Sequence, residues 1–176
     1  MKKSALLFVF ALVLECGRCH ADLIDRAQAL ARAQAVTTAA YPDADTVLVS
    51  DYTVQVYRPD GTGCSTNEWY EKILTEKGRR DSRTASFWMN VSYGDVVVEA
   101  AELIKPDGSS VVIDVEANSR LMIEPGQMNA NIYDPHNKIR TLAFPGIEVG
   151  DVVRLVVVNN TTKSRVPDAF SDYMVF

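Results

Sequence analysis

Three kinds of side chain in this sequence could together do nucleophilic hydrolysis: Cys64, His136, and an acid, either Asp134 or Asp107. In such a site the thiolate attacks, the imidazole takes its proton, and the carboxylate orients the ring. The thiol needs a depressed pKa, commonly from a helix N-terminus and a nearby histidine. Cys64 lies instead between Gly63 and Ser65, just past a turn, where no helix dipole is expected. The sequence therefore makes Cys64 an ordinary exposed or half-buried thiol, and no catalytic residue is expected. Metal chemistry fares no better. One cysteine and one histidine cannot build a zinc site, and Asp43-Ala44-Asp45 lacks the glycine and distal glutamate of a calcium loop. No metal or cofactor is expected.

Two further groups could carry function. The carboxylate pairs Glu68/Glu71 and Glu99/Glu102 fall at strand positions and are expected on solvated faces. Trp69, Tyr70, Phe87, Trp88 and Tyr93 could make a platform for a glycan or a peptide, but strand spacing favours the core for them. Asn90-Val91-Ser92 and Asn160-Thr161-Thr162 match glycosylation acceptors, which matter only in a eukaryotic secretory path.

The elements that would position these groups begin after a leader. Lys2-Lys3, an apolar run from Ala5 to Leu14, and Cys19-His20-Ala21 read as a signal peptide over residues 1–21, cleaved after Ala21. The run is too short to span a bilayer, and no later segment is apolar enough for a stable membrane anchor. Cys16 follows Glu15 and Cys19 follows Arg18, so neither fits a lipid-modified cysteine. The expected location is the periplasm or the cell exterior. The leader takes Lys2, Lys3, Arg18 and Glu15 from 18 basic and 23 acidic residues, which leaves 15 against 22. That acidic balance argues against nucleic acid, whose phosphates need a basic face. The remaining chain keeps Cys64 alone of its cysteines, so burial rather than a disulfide must supply stability.

Residues 22–40 are Ala-rich, with Leu23, Ile24, Ala27, Leu30, Ala31 and Gln34 at helical spacing, and Pro42 follows. One amphipathic helix ending near Thr37-Thr38 is predicted. From Thr46 the alternation is that of strands, with a break in phase near Asp51 that suggests a bulge. Pro59-Asp60-Gly61 and Pro106-Asp107-Gly108 each close a hairpin. Residues 75–81 form a charged connection, further strands cover Phe87–Val91 and Asp95–Ile104, and residues 116–137 are the least regular part. The run Arg140 to Val158 reads as strand, Pro145-Gly146 corner, strand. Short strands with Gly and Pro corners, and no βαβ rhythm, predict a mainly β fold: an antiparallel β-sandwich over residues 41–176 behind one N-terminal helix.

Four segments in order carry a resemblance: Tyr41-Pro42-Asp43-Ala44-Asp45, Lys72-Ile73-Leu74-Thr75-Glu76-Lys77-Gly78-Arg79, Ala101-Glu102-Leu103-Ile104-Lys105-Pro106-Asp107-Gly108, and Leu142 to Val153. Together they resemble the bacterial domain of unknown function found N-terminal to transglutaminase-like domains. The resemblance implies a secreted, non-catalytic accessory module that packs against, or recruits substrate for, a transglutaminase-like catalytic domain downstream or in trans. Members of that family usually continue for several strands and then into a Cys-His-Asp domain. This sequence stops at Asp172-Tyr173-Met174-Val175-Phe176, in what reads as another strand, so an incomplete domain is expected and no catalytic residue of that core carries over. The alternative is a stand-alone carbohydrate- or peptide-binding protein of the cell envelope, using residues 116–137 and exposed aromatics.

Overall fold

The structure, a computed structural model, describes residues 23–130, 133–167 and 169. The expected leader and the expected last strand, Asp172 to Phe176, lie outside the described residues. Helix α1 (Arg26–Ala35) comes first among the described residues, with Asp25 accepting from the backbone of Gln28 as its N-cap. It is followed by β1 (Thr46–Tyr57), β2 (Gly63–Ile73), α2 (Glu76–Asp81), β3 (Thr84–Asn90), β4 (Gly94–Ile104) and β5 (Ser110–Val112). Then come α3 (Val115–Asn118), β6 (Ser119–Ile123), a 3-10 turn at Pro125–Ala130, β7 (Asn137–Ala143) and β8 (Val152–Thr161).

The strands form two antiparallel sheets. The larger has the order β1-β2-β8-β4-β5 and the smaller β3-β7-β6. Alternation along each strand decides what fills the space between them. Trp69 and Ile73 of β2, Val96, Val98, Ala101 and Leu103 of β4, and Val153, Leu155 and Val157 of β8 all turn inward. There they meet Leu142 of β7 and Ala85, Phe87 and Met89 of β3. This is the expected β-sandwich. Each fully buried leucine, such as Leu103, Leu142 or Leu155, contributes about 1.5–3 kcal/mol.

The turn chemistry behaves as the sequence dictates. Gly61, Gly108, Gly146 and Gly150 all take positive φ, between 78° and 93°. The Pro145-Gly146 corner does not return β7 to a neighbour in its own sheet; it carries the chain across the sandwich, from β7 in the small sheet to β8 at the centre of the large one.

The phase break expected near Asp51 is present as a register shift between Leu48 and Ser50 of β1. Three local expectations are corrected. The connection 75–81 contains the short helix α2, because Thr75 caps it by accepting from the Gly78 backbone. Residues 116–137 are more regular than expected: they hold β6, which pairs with β7 from Ser119↔Leu142 to Ile123↔Lys138. Helix α1 ends at Ala35, and it buries Ala29 and Ala33, with Ile24 and Leu30 packed alongside, while Ala27, Ala31 and Gln34 stay exposed. Small alanines let this helix sit close upon the outer face of the large sheet, where Tyr70, Ile104 and Val152 receive it.

Candidate functional site

The structure separates the groups that hydrolysis would need. Cys64 is half-buried on β2. It shares its face with Glu68 and Tyr70, since residues two apart point the same way, and that is the outer face of the large sheet. His136 belongs to the turn before β7, on the other sheet; its backbone carbonyl accepts from Val91. Asp134 does meet it, with His136 Nδ1 2.8 Å from Asp134 Oδ1. Asp134 also accepts from the His136 backbone and from the Asn90 amide, and its carboxyl is held below the usual range chiefly by the backbone N–H of His136. The pair therefore closes a turn. Asp107 accepts from Ser109 inside the second hairpin turn.

The carboxylates expected in solvent are the largest departure. Glu68 is fully buried and Glu102 is 8% exposed. Register explains their meeting: Tyr70, Arg154 and Glu102 stand side by side on β2, β8 and β4. Arg154 Nε donates to Glu68 Oε1 at 2.7 Å, and its Nη1 lies 3.8 Å from Glu102. Arg26 of α1 reaches down with two bonds to Glu102, 2.5 and 2.7 Å. The backbone N–H groups of Leu23 and Ile24 donate to Glu68 Oε2. Glu102 is held below its ordinary value, chiefly by the bond from Arg26. Burial pushes the Tyr70 phenol up to about 12. Every charge here has a partner and α1 covers them all. The arrangement is a buried clasp for the N-terminal helix rather than an open site.

A third buried acid, Asp151, pins the corner before β8. Its Oδ2 accepts from Lys105 Nζ and from the Glu148 backbone, both at 2.8 Å. Lys105 also donates to the Gly146 carbonyl, and the bond to Asp151 raises its pKa. Among the described residues no group of three or more His, Cys, Asp and Glu side chains could hold a metal.

A concave surface with open access lies at the end of the sandwich where β3 passes into β4 and β8 ends. It is a cleft of about 250 Å³. Trp88 lies on its border, 62% exposed because it points outward from β3 between the inward-facing Phe87 and Met89. Trp69 differs: it packs against the core, its ring tilted against Phe87. Of the two tryptophans only Trp88 escapes the expected core. Tyr93 stands in the β3–β4 turn, and its carbonyl accepts from the backbones of Thr162 and Lys163 at 2.8 and 3.1 Å. Those bonds hold Lys163 and Arg165 over its ring, at 5.9 and 4.5 Å from the centroid. Asn159 lies on the same face as Val96, its partner in register, and opens into the cleft. Gly94 is obligatory here, since a Cβ would stand 1.8 Å from the Asn160 carbonyl. The sequence signal for this surface was faint: two cations two residues apart, far in sequence from the aromatics they meet.

Comparison with known proteins places the chain. A family model for a domain of unknown function with a solved structure, DUF3857, matches residues 59–176. The chain belongs to the DUF3857 family. The family match begins after β1, so Glu68, Glu102 and Arg154 lie within the matched DUF3857 region while α1 and its Arg26 precede it. Among solved structures, the DUF3857 chain is similar to a presumptive protease from Parabacteroides distasonis, at 14% identity and a TM-score of 0.61. That similarity covers 70% of this chain and 24% of the other, so the chain spans about a quarter of that protein's length. Two family 3a carbohydrate-binding modules from the cipA scaffolding protein of Clostridium thermocellum also match, at 10% and 11% identity with TM-scores of 0.35 and 0.32. They cover 75% and 70% of this chain and 79% and 87% of theirs; a likeness that loose carries no argument. No curated protein matches.

Proposed function

We propose that this DUF3857 chain is an exported, non-catalytic accessory module that packs against or serves a transglutaminase-like, cysteine-protease-like domain. One observation carries the reading: the fold recurs as about a quarter of a much longer chain described as a presumptive protease. The separation of Cys64 from the His136–Asp134 pair onto different sheets agrees with a module that leaves bond cleavage to another domain. The four sequence segments that resemble the transglutaminase-associated domain fall on turns, core strands and the short helix α2: Lys72 to Arg79 from β2 into α2, Lys105 to Gly108 in a hairpin turn, and Leu142 to Val153 across the corner pinned by Asp151. They serve the scaffold on which a partner domain rests. Export follows from the leader-like first 21 residues.

The test is isolation of the native protein from its source with an antibody against this chain, followed by intact mass and sequencing of whatever accompanies it. A catalytic cysteine-protease-like domain, in the same polypeptide or in a co-isolating chain, supports the proposal. A mass matching residues 22–176 with no catalytic companion overturns it. A second arm adds excess free module to the catalytic partner; an unchanged rate on a macromolecular substrate removes the substrate-recruiting role.

A further inference from the structure

We propose that the cleft at the open end of the sandwich binds an acidic saccharide, a sugar ring bearing a carboxylate. Trp88 presents an exposed indole at its border. A flat, rigid apolar face of this kind suits the C–H face of a pyranose. Beside it stand two cations. Lys163 and Arg165 are held over the Tyr93 ring, and among the described residues neither takes part in an ion pair. Two converging cations with no counter-ion among the described residues, in a chain whose net charge is −5, make a local field that selects an anion. Asp95, a carboxylate in the lining, accepts from the Asn160 amide at 2.7 Å.

The rest of the lining fits hydroxyl groups. Asn159 offers an amide with both a donor and an acceptor, which suits neighbouring sugar hydroxyls. Val96 closes the floor with an apolar surface. An arginine, an amide and an indole around one small cleft match the three surfaces of a uronic acid: its carboxylate, its hydroxyls and its C–H face. The volume, about 250 Å³, lies just under the roughly 300–1,000 Å³ of drug-sized pockets, so one ring enters and its neighbours along the chain stay in solvent. The backbones of β4 and β8 that line it are already paired with each other, Gly94↔Thr161 and Asp95↔Asn160, and offer no open ladder there; β3, an edge strand that also lines the cleft, leaves one ladder edge, which the acidic peptide control below tests. The site stands whether or not the chain serves a catalytic domain.

The experiment is calorimetric titration of the chain with trigalacturonate as the probe, cellotriose as a neutral control, and Glu-Glu-Glu as an acidic peptide control. Saturable binding of trigalacturonate at one site, with both controls at least about ten-fold weaker, is expected. Arg165→Gln keeps hydrogen bonding but removes the charge and should weaken trigalacturonate at least about ten-fold, as expected for hydrogen bonds to a charged group. Trp88→Ala should weaken it similarly. Both side chains are at the surface, and unchanged melting curves will show that the variants fold. Failure of trigalacturonate to bind at millimolar concentration overturns the proposal, as does equal binding by either variant. Equal or tighter binding of Glu-Glu-Glu makes the cleft a peptide site and overturns it too; equal binding of cellotriose removes the role of the cations. Because no catalytic partner is present, these outcomes are separate from the fate of the accessory-module reading.

Discussion

Replacing Glu68 with Gln tests whether the buried charge network holds the N-terminal helix in place. Four donors converge on this carboxylate: the backbones of Leu23 and Ile24 at 2.7 and 2.9 Å on one oxygen, and Arg154 and Tyr70 at 2.7 and 3.2 Å on the other. Glutamine has one acceptor oxygen, so its amide NH2 must face one of these donor pairs. The charge opposite Arg154 is lost as well. Breaking a buried ion pair from one side costs about 3–5 kcal/mol. Arg154 keeps Glu102 within 3.8 Å, which puts the expected loss near the lower end, about 3 kcal/mol. At roughly 2–4 °C per kcal/mol for a chain of this size, the melting temperature should fall by about 6–12 °C. The assay is urea and thermal unfolding by circular dichroism, with amide exchange followed at Leu23 and Ile24. Those two amides should lose their protection even under conditions where the sheet strands keep theirs. Replacing both members, Glu68→Met with Arg154→Leu, should recover only the part of the loss that comes from stranding Arg154, because the Leu23 and Ile24 amides still lose their acceptor. A fall of less than about 1 kcal/mol in Glu68→Gln, with protection of Leu23 and Ile24 unchanged, would refute the view that this carboxylate clasps the helix.

Three other outcomes follow from the geometry. Glu102 is depressed below its ordinary 4.5, chiefly by the Arg26 bond, so its contribution is fully present above that pH and is lost as pH falls through the lower folded value. Glu102→Gln should therefore flatten the acid limb of stability below about pH 4.5, measured by melting at pH 3–7; an unchanged slope would count against it. Lys105→Met strands the fully buried Asp151, which keeps only the Glu148 amide; the expected cost is about 3 kcal/mol, seen as a lower urea midpoint, and Asp151→Asn on top of it should give part of this back. Gly94→Ala drives a Cβ to within 1.8 Å of the Asn160 carbonyl; backbone cannot yield as a side chain would, so a loss of about 3 kcal/mol or more is expected, while Gly108→Ala, with open space around its Cβ site, should cost only the strain of its positive φ.

What the sequence determined by itself was local and periodic. The apolar run Val152 to Val158 marked a strand, the Pro-Asp-Gly turns closed two hairpins, and Pro145-Gly146 marked the corner. Those readings rest on sterics and on the two-residue repeat of a strand, which any local window contains. It failed where burial on a strand's second face depended on something remote. Glu68 and Glu102 read as solvated because nothing near them in sequence announces α1, whose Arg26 arrives from 76 residues before Glu102. The same holds for β6, whose residues are mostly exposed and lack the alternation of a half-buried strand; only its ladder to β7 makes it one. At the cleft, Trp88 looked like core because sequence spacing cannot say which face of β3 meets the other sheet, and the packing of Ala85, Phe87 and Met89 into the core settles it. Cys64 and His136 show the reverse: composition allowed a pair, and sheet assignment put them on different sheets. Periodicity fixes which residues share a face, but only the packing of distant segments decides which face is covered, and so which charges must pair and which aromatic is left for a ligand.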